Sequence, residues 1–132
     1  MRMKAIVLQR SLDLKTQLLD LPIPVCQSNE VLIRIKAAAL NHRDEWCRMG
    51  LYPNIQDGIV LGSDGAGIVE EVGAEVDPAL IGQEVMLNPA LHWGNNNKAQ
   101  GKNFEIIGMP RNGTFAEYVA VPADRVFPKP SH

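Results

Sequence analysis

Nine prolines, at positions 22, 24, 53, 78, 89, 110, 122, 128 and 130, restrict this chain more than any other feature of its sequence. Proline lacks an amide hydrogen and fixes φ, so it ends helices and is kept out of central strands. The stretches that remain between the turn signals are short and β-like: 4–8, 17–21, 31–37, 68–72, 84–87 and 115–121. That rhythm predicts a mainly β protein, a barrel or sandwich of short strands. In VLIRIKAAAL, Val31, Ile33 and Ile35 alternate with Leu32, Arg34 and Lys36. The alternation predicts one face mostly inward and the other partly wet.

One segment breaks the β pattern. NHRDEWCRM, residues 41–49, begins with Asn41, a good N-cap, carries Asp44 and Glu45 in its first turn, and is followed by Gly50. These are start and stop signals for a single short helix. A second unusual stretch, 88–113, reads as a lobe inserted between two strands, ordered around Trp93 and Phe104, with a mobile polar tip at 95–102.

A chain of 132 residues suits one domain with a true core. With 45% hydrophobic residues, 21% charged residues and a net charge of −2, it has no basic stripe of the kind nucleic acid requires. Cys26 and Cys47 form no CxxC pair and are too few for a disulfide framework, so inert thiols in a reducing, cytoplasmic setting are expected. The apolar run in MRMKAIVLQR is too short for a signal peptide, and no run approaches a membrane span.

The run GSDGAG at 62–67 invites three readings. A dinucleotide fingerprint needs G-x-G-x-x-G ahead of a helix, whereas Gly62, Gly65 and Gly67 give G-x-x-G-x-G ahead of the strand-like IVEEV. A metal site needs clustered His, Cys, Asp or Glu, and the run offers only Asp64 beside Ser63. The structural reading is a tight or bulged strand whose glycines let backbones approach closely.

Taken in order, AAALNHRDEWCRMG, LGSDGAGIVEEVG, GQEVMLNP and GTFAEYVAVP resemble the N-terminal catalytic domain of the medium-chain dehydrogenase/reductase superfamily. The resemblance runs over residues 3–130 and implies a GroES-like barrel with a short helix, filling residues 1–130 with the lobe at 88–113. In zinc-dependent alcohol dehydrogenases of the superfamily, a cysteine stands where this chain has Asn41, and Gly-His-Glu where it has Gly62, Ser63 and Asp64. Their four-cysteine lobe aligns with 88–113, which has no cysteine, so the resemblance implies no metal at either place. Asn and Gly-Ser-Asp at these positions resemble the quinone oxidoreductase side of the superfamily. Closer still are alcohol dehydrogenase-like members with an NHRD-type helix.

The implied activity is a zinc-independent, NAD(P)H-dependent reduction of a carbonyl or quinone. Enzymes of this kind bind NAD(P)H in a Rossmann domain, of which these residues carry no signature. The expectation is therefore a chain that binds no cofactor and is inactive by itself, its partners being a Rossmann domain, a small-molecule substrate and, through the open cleft face, other copies of itself. A stand-alone GroES-like binding or assembly module without catalysis is the alternative.

The resemblance places Asn41, Asp44 and Trp46 as catalytic positions and Arg43, Ser63 and Asp64 along the cleft. Each has a second reading. Asn41 offers an amide to nicotinamide or substrate carbonyl, or is a plain N-cap. Arg43 holds an anionic group, or lies on a solvated helix face. Asp44 orients its neighbours, or only favours the helix dipole. Trp46 lines the substrate pocket, or is core. Ser63 stands in the retained turn in place of a metal ligand, and Asp64 pairs with a cation from another domain or caps its own turn. His42, His92 and His132 have no partners at ligand spacing and read as surface or satisfied histidines.

Overall fold

The computed structural model describes residues 1–132 and is built of strands with one helix. Strands β1 (Arg2–Leu8) and β2 (Thr16–Pro22) form an antiparallel hairpin in which Met3, Ala5 and Val7 point inward, as strict alternation dictates. A five-stranded sheet follows, made of β3 (Glu30–Ala39), β4 (Asp64–Val72), β5 (Glu84–Leu87), β8 (Tyr118–Pro122) and β9 (Val126–Pro128), in the order β8-β3-β4-β5-β9. Helix α1 (His42–Met49) connects β3 to the loop before β4. Two-residue strands β6 (Ala90–Leu91) and β7 (Glu105–Ile106) pair with each other between β5 and β8.

Hairpin and sheet are joined through two extended segments outside the named strands. Ile6 N–H donates to Phe115 O at 2.8 Å, Leu8 N–H to Ile59 O at 2.9 Å, and Glu117 N–H to Lys4 O at 3.1 Å. The chain at 115–117 therefore runs beside β1 and then crosses to pair with β3 as β8, so the expected single strand over 115–121 is divided between two partners. That crossing wraps the strands around one interior. A cluster of Val31, Ile33, Val69, Val85, Leu91, Ile107, Val119 and Val121 fills the sheet side, and Leu8, Cys47, Leu61 and Met109 pack beneath α1.

The alternation expected in β3 holds only in part. Leu32, on the face expected to be partly wet, is only 3% exposed, while Ile35 is half-buried. Register against β4 shifts between Leu32 and Ile33 and again between Ile35 and Ala37, and such irregularities turn a strand out of strict alternation. Beyond the second shift, residues Ala37, Ala38 and Ala39 and the following Leu40 lie exposed beside the helix.

The glycines of 62–67 serve the packing. A side chain on Gly67 would strike the carbonyl of Arg34 on the neighbouring strand. Gly62 has φ +95°, and a Cβ there would stand 2.5 Å from the Phe115 ring. Each position requires glycine for its backbone conformation or its close packing.

Candidate functional site

The site forms where the end of β3, the start of α1 and the glycine turn converge. Asp44 ties the three together from within: it is 5% exposed, and its Oδ2 accepts the Asn41 N–H at 2.8 Å while Oδ1 accepts the Gly62 N–H at 3.2 Å. One carboxylate thus satisfies a free amide of the helix start and one of the turn. At the other end of the helix, Gly50 in the left-handed region donates its N–H to Cys47 O at 3.1 Å and ends α1 where expected.

The Asn41 side chain also reaches Asp64, its Nδ2 donating to Asp64 Oδ2 at 2.9 Å. Asp64 is anchored from behind by its own carbonyl, which accepts from Thr114 Oγ1 at 2.8 Å. Trp46 is 51% exposed and stacks with His42 at a centroid distance of 6.2 Å, so the indole belongs to the surface rather than the core.

Arg43 takes a course that neither sequence reading anticipated. It turns inward rather than to solvent, and Nη1 donates to Ser63 Oγ at 2.7 Å and to Ile107 O at 3.3 Å, while Nη2 donates to Met109 O at 3.0 Å. Ser63, buried at 3% exposure, donates its own O–H to Ile107 O at 2.8 Å. The guanidinium carbon stands 4.9 Å from the centroid of the Tyr52 ring, a cation–π arrangement. The Nε–H of Arg43 is buried without a partner, a cost of about 1–3 kcal/mol set against the three hydrogen bonds and the ring contact of the same side chain.

Ile107, Met109, Tyr52 and Thr114 were not singled out from sequence. Three of them act through a backbone carbonyl or a ring face, which leave no polar signature in a sequence, and the two carbonyls lie 64 and 66 residues from Arg43. Burial raises the Cys47 thiol pKa, an effect that the Asp44 charge supports and that of Arg43 opposes, which makes this thiol a poor nucleophile. Both cysteines are free, and no three His, Cys, Asp or Glu side chains are grouped to hold a metal ion.

Two grooves, of 830 and 680 Å³, lie away from the site, lined by residues such as Leu21 and Tyr118 in one and Val76 and Trp93 in the other. None of Asn41, Arg43, Trp46, Ser63 or Asp64 lines either of them.

This mainly β domain with one short helix superposes on part of alcohol dehydrogenases of known structure. The chain belongs to the alcohol dehydrogenase GroES-like domain family, whose model matches residues 27–131. It is 36% identical over 104 residues to a zinc-type alcohol dehydrogenase-like protein of Schizosaccharomyces pombe, covering 78% of this chain and 30% of that protein. It is 35% identical over 127 residues to the L-threonine 3-dehydrogenase of Bacillus subtilis, covering 86% of this chain and 35% of that enzyme. An NAD-dependent alcohol dehydrogenase of known structure superposes with a TM-score of 0.86 at 38% identity, over 96% of this chain and 39% of its own. A thermostable alcohol dehydrogenase from Pyrobaculum aerophilum gives a TM-score of 0.88 at 26% identity, over 100% of this chain and 42% of its own. The chain thus spans about a third of the curated relatives' length, and the family it joins is one of oxidoreductases.

Proposed function

We propose that this domain is the substrate-side wall of a zinc-independent, NAD(P)H-dependent oxidoreductase acting on a carbonyl or quinone. The observation that carries the reading is the Asn41–Asp64 pair. Asn41 commits one amide hydrogen to Asp64, at 2.9 Å, and no protein acceptor takes the other. An amide held in orientation by a carboxylate can give that second hydrogen to a carbonyl oxygen, stabilising the charge that grows there during reduction. The half-exposed Trp46 offers a flat apolar face beside it, suited to an aromatic or quinone ring.

Zinc does not suit this donor set. Asn41 presents an amide N–H to the site, Ser63 is hydrogen-bonded to Arg43 and Ile107, and Asp64 alone remains as an anionic ligand. Nor do these residues suit the pyrophosphate of a dinucleotide, because the one α-helix start has an amide closed by Asp44 and lacks a glycine-rich turn leading into it. The cofactor, which supplies the hydride, is assigned to a Rossmann domain facing this wall. Full-length relatives have room for such a domain, since the chain covers 39% of the NAD-dependent structure it matches. The two free cysteines accord with a reducing, cytoplasmic setting.

The test is kinetic and uses the protein assembled with its cofactor-binding domain. Asn41→Ala is expected to lower kcat for carbonyl reduction roughly 100- to 1,000-fold with KM nearly unchanged, as removal of one oxyanion-type donor does. An unchanged kcat would remove Asn41 from the reaction.

A further inference from the structure

The corner formed by Asn41, Ser63 and Asp64 carries a fixed positive charge that no carboxylate pairs with directly. Arg10, Arg34, Arg48, Arg111 and Arg125 each lie within salt-bridge distance of an Asp or Glu. Like the exposed Arg2, Arg43 meets no carboxylate; it has a hydroxyl and two carbonyls, at 2.7, 3.3 and 3.0 Å, and the face of the Tyr52 ring, with its Nε–H buried and unpartnered. Asp44, the adjacent carboxylate, spends its two oxygens on the Asn41 and Gly62 amides. A guanidinium stays protonated throughout the working pH range, so this charge cannot be shed. It also holds Ser63 in place, since the hydroxyl oxygen accepts a hydrogen bond from Arg43 and its O–H donates one to Ile107 O.

We propose that Arg43 is a specificity-determining residue that excludes divalent metal from this corner, through its fixed charge beside Ser63. The inference rests on the zinc-independent reading above and deepens it from absent ligands to active exclusion. The two accounts differ in what restored ligands should do. If only ligands are missing, restoring them restores metal binding. If Arg43 excludes metal, restored ligands fail for as long as Arg43 is present.

The experiment places Asn41→Cys and Ser63→Cys in the full chain, giving with Asp64 three anionic donors, the ligand count of an open zinc site. Cysteine is close to serine in size, which favours folding at the buried position. Co²⁺ alone is the probe, read by thiolate-to-cobalt absorption in the near ultraviolet, with Arg43 kept, changed to Lys, changed to Gln, or changed to Met. Circular dichroism checks the fold of each, and either neutral variant suffices for the comparison. The neutral variants are expected to bind Co²⁺ at least roughly tenfold more tightly than the Arg43 and Arg43→Lys forms, since a nearby like charge opposes the metal. Equal behaviour across the series, whether all bind or none, overturns the role given to Arg43. So does tight binding by the Lys form. One tightly held zinc in the unsubstituted chain would instead overturn the zinc-independent reading itself.

Discussion

Asp44 and Asp64 are carboxylates twenty residues apart that meet the same corner from opposite sides, and their surroundings give them different duties. Asp44 is buried and accepts two backbone amides; Asp64 is exposed and accepts one side-chain amide. Removing a buried acceptor leaves its donors unsatisfied, so Asp44→Ala is expected to cost about 2–4 kcal/mol in urea unfolding. Asp64→Ala should cost under about 1 kcal/mol while reducing activity in the assembled protein. Equal stability losses for the two would contradict this division.

Cys47 yields a pH prediction at the same scale. Burial holds its thiol pKa above the ordinary value, so in alkaline solution the unfolded chain loses this proton before the folded chain does. The unfolded state then binds fewer protons, the slope of unfolding free energy with pH is negative, and the contribution present below the ordinary thiol pKa is lost as pH rises through the folded value. Cys26 and Tyr118 are raised as well, so the test is a difference. Cys47→Ala should flatten the alkaline decline relative to the unsubstituted chain, and an unchanged slope would contradict the assignment.

Among elements, glycine positions separate conformation from packing. Gly50 and Gly62 have similar φ, +79° and +95°, but a Cβ on Gly50 meets nothing within 4 Å while one on Gly62 meets Phe115 at 2.5 Å. Gly50→Ala should therefore cost about 1 kcal/mol, the conformational part alone. Gly62→Ala should cost about 3 kcal/mol or more, because the Phe115 ring must also move. Thermal unfolding of the pair checks the ordering.

The helix was legible in full because Asn41, Asp44 and Gly50 are local signals that act within a turn of where they stand. Four of the six expected strands stand where alternation and turn residues placed them, with ends moved by at most two residues. β4 begins four residues earlier, at Asp64, because glycines in its first half hide a strand from residue-type preference, and the strand expected over 115–121 is divided between β1 and β3. Strands β6 and β7, of two residues each, and β9, of three, are too short to show any period. The Arg43 network was hidden for a different reason. Its acceptors are backbone carbonyls brought in by the loop before β8, and only the assembled fold reveals which carbonyls those are.

On the scale of the whole molecule, several large apolar side chains stand exposed on and beside α1, the helix that begins at the site. Leu40 is 85% exposed, Leu51 74%, Trp46 51% and Met49 48%, all from the ends or the outer side of α1. Exposed apolar side chains of this size favour contact with another body, which the proposed function supplies as a Rossmann domain. Studied alone, the chain should self-associate with rising concentration in sedimentation velocity, and Leu40→Ser with Trp46→Ser should weaken that association. A monomer at all concentrations would argue that this face needs no partner.

The central claim is that these 132 residues provide one wall of a dinucleotide-dependent site and hold no dinucleotide themselves. Titration of NADPH into the chain, followed by the fluorescence of Trp46 and Trp93, tests it most directly, and is then repeated with a cofactor-binding domain of a matching relative added. The account predicts no saturable quenching by the chain alone at micromolar NADPH, and saturable quenching of Trp46 once the second domain is present. Micromolar binding by the isolated chain would contradict it.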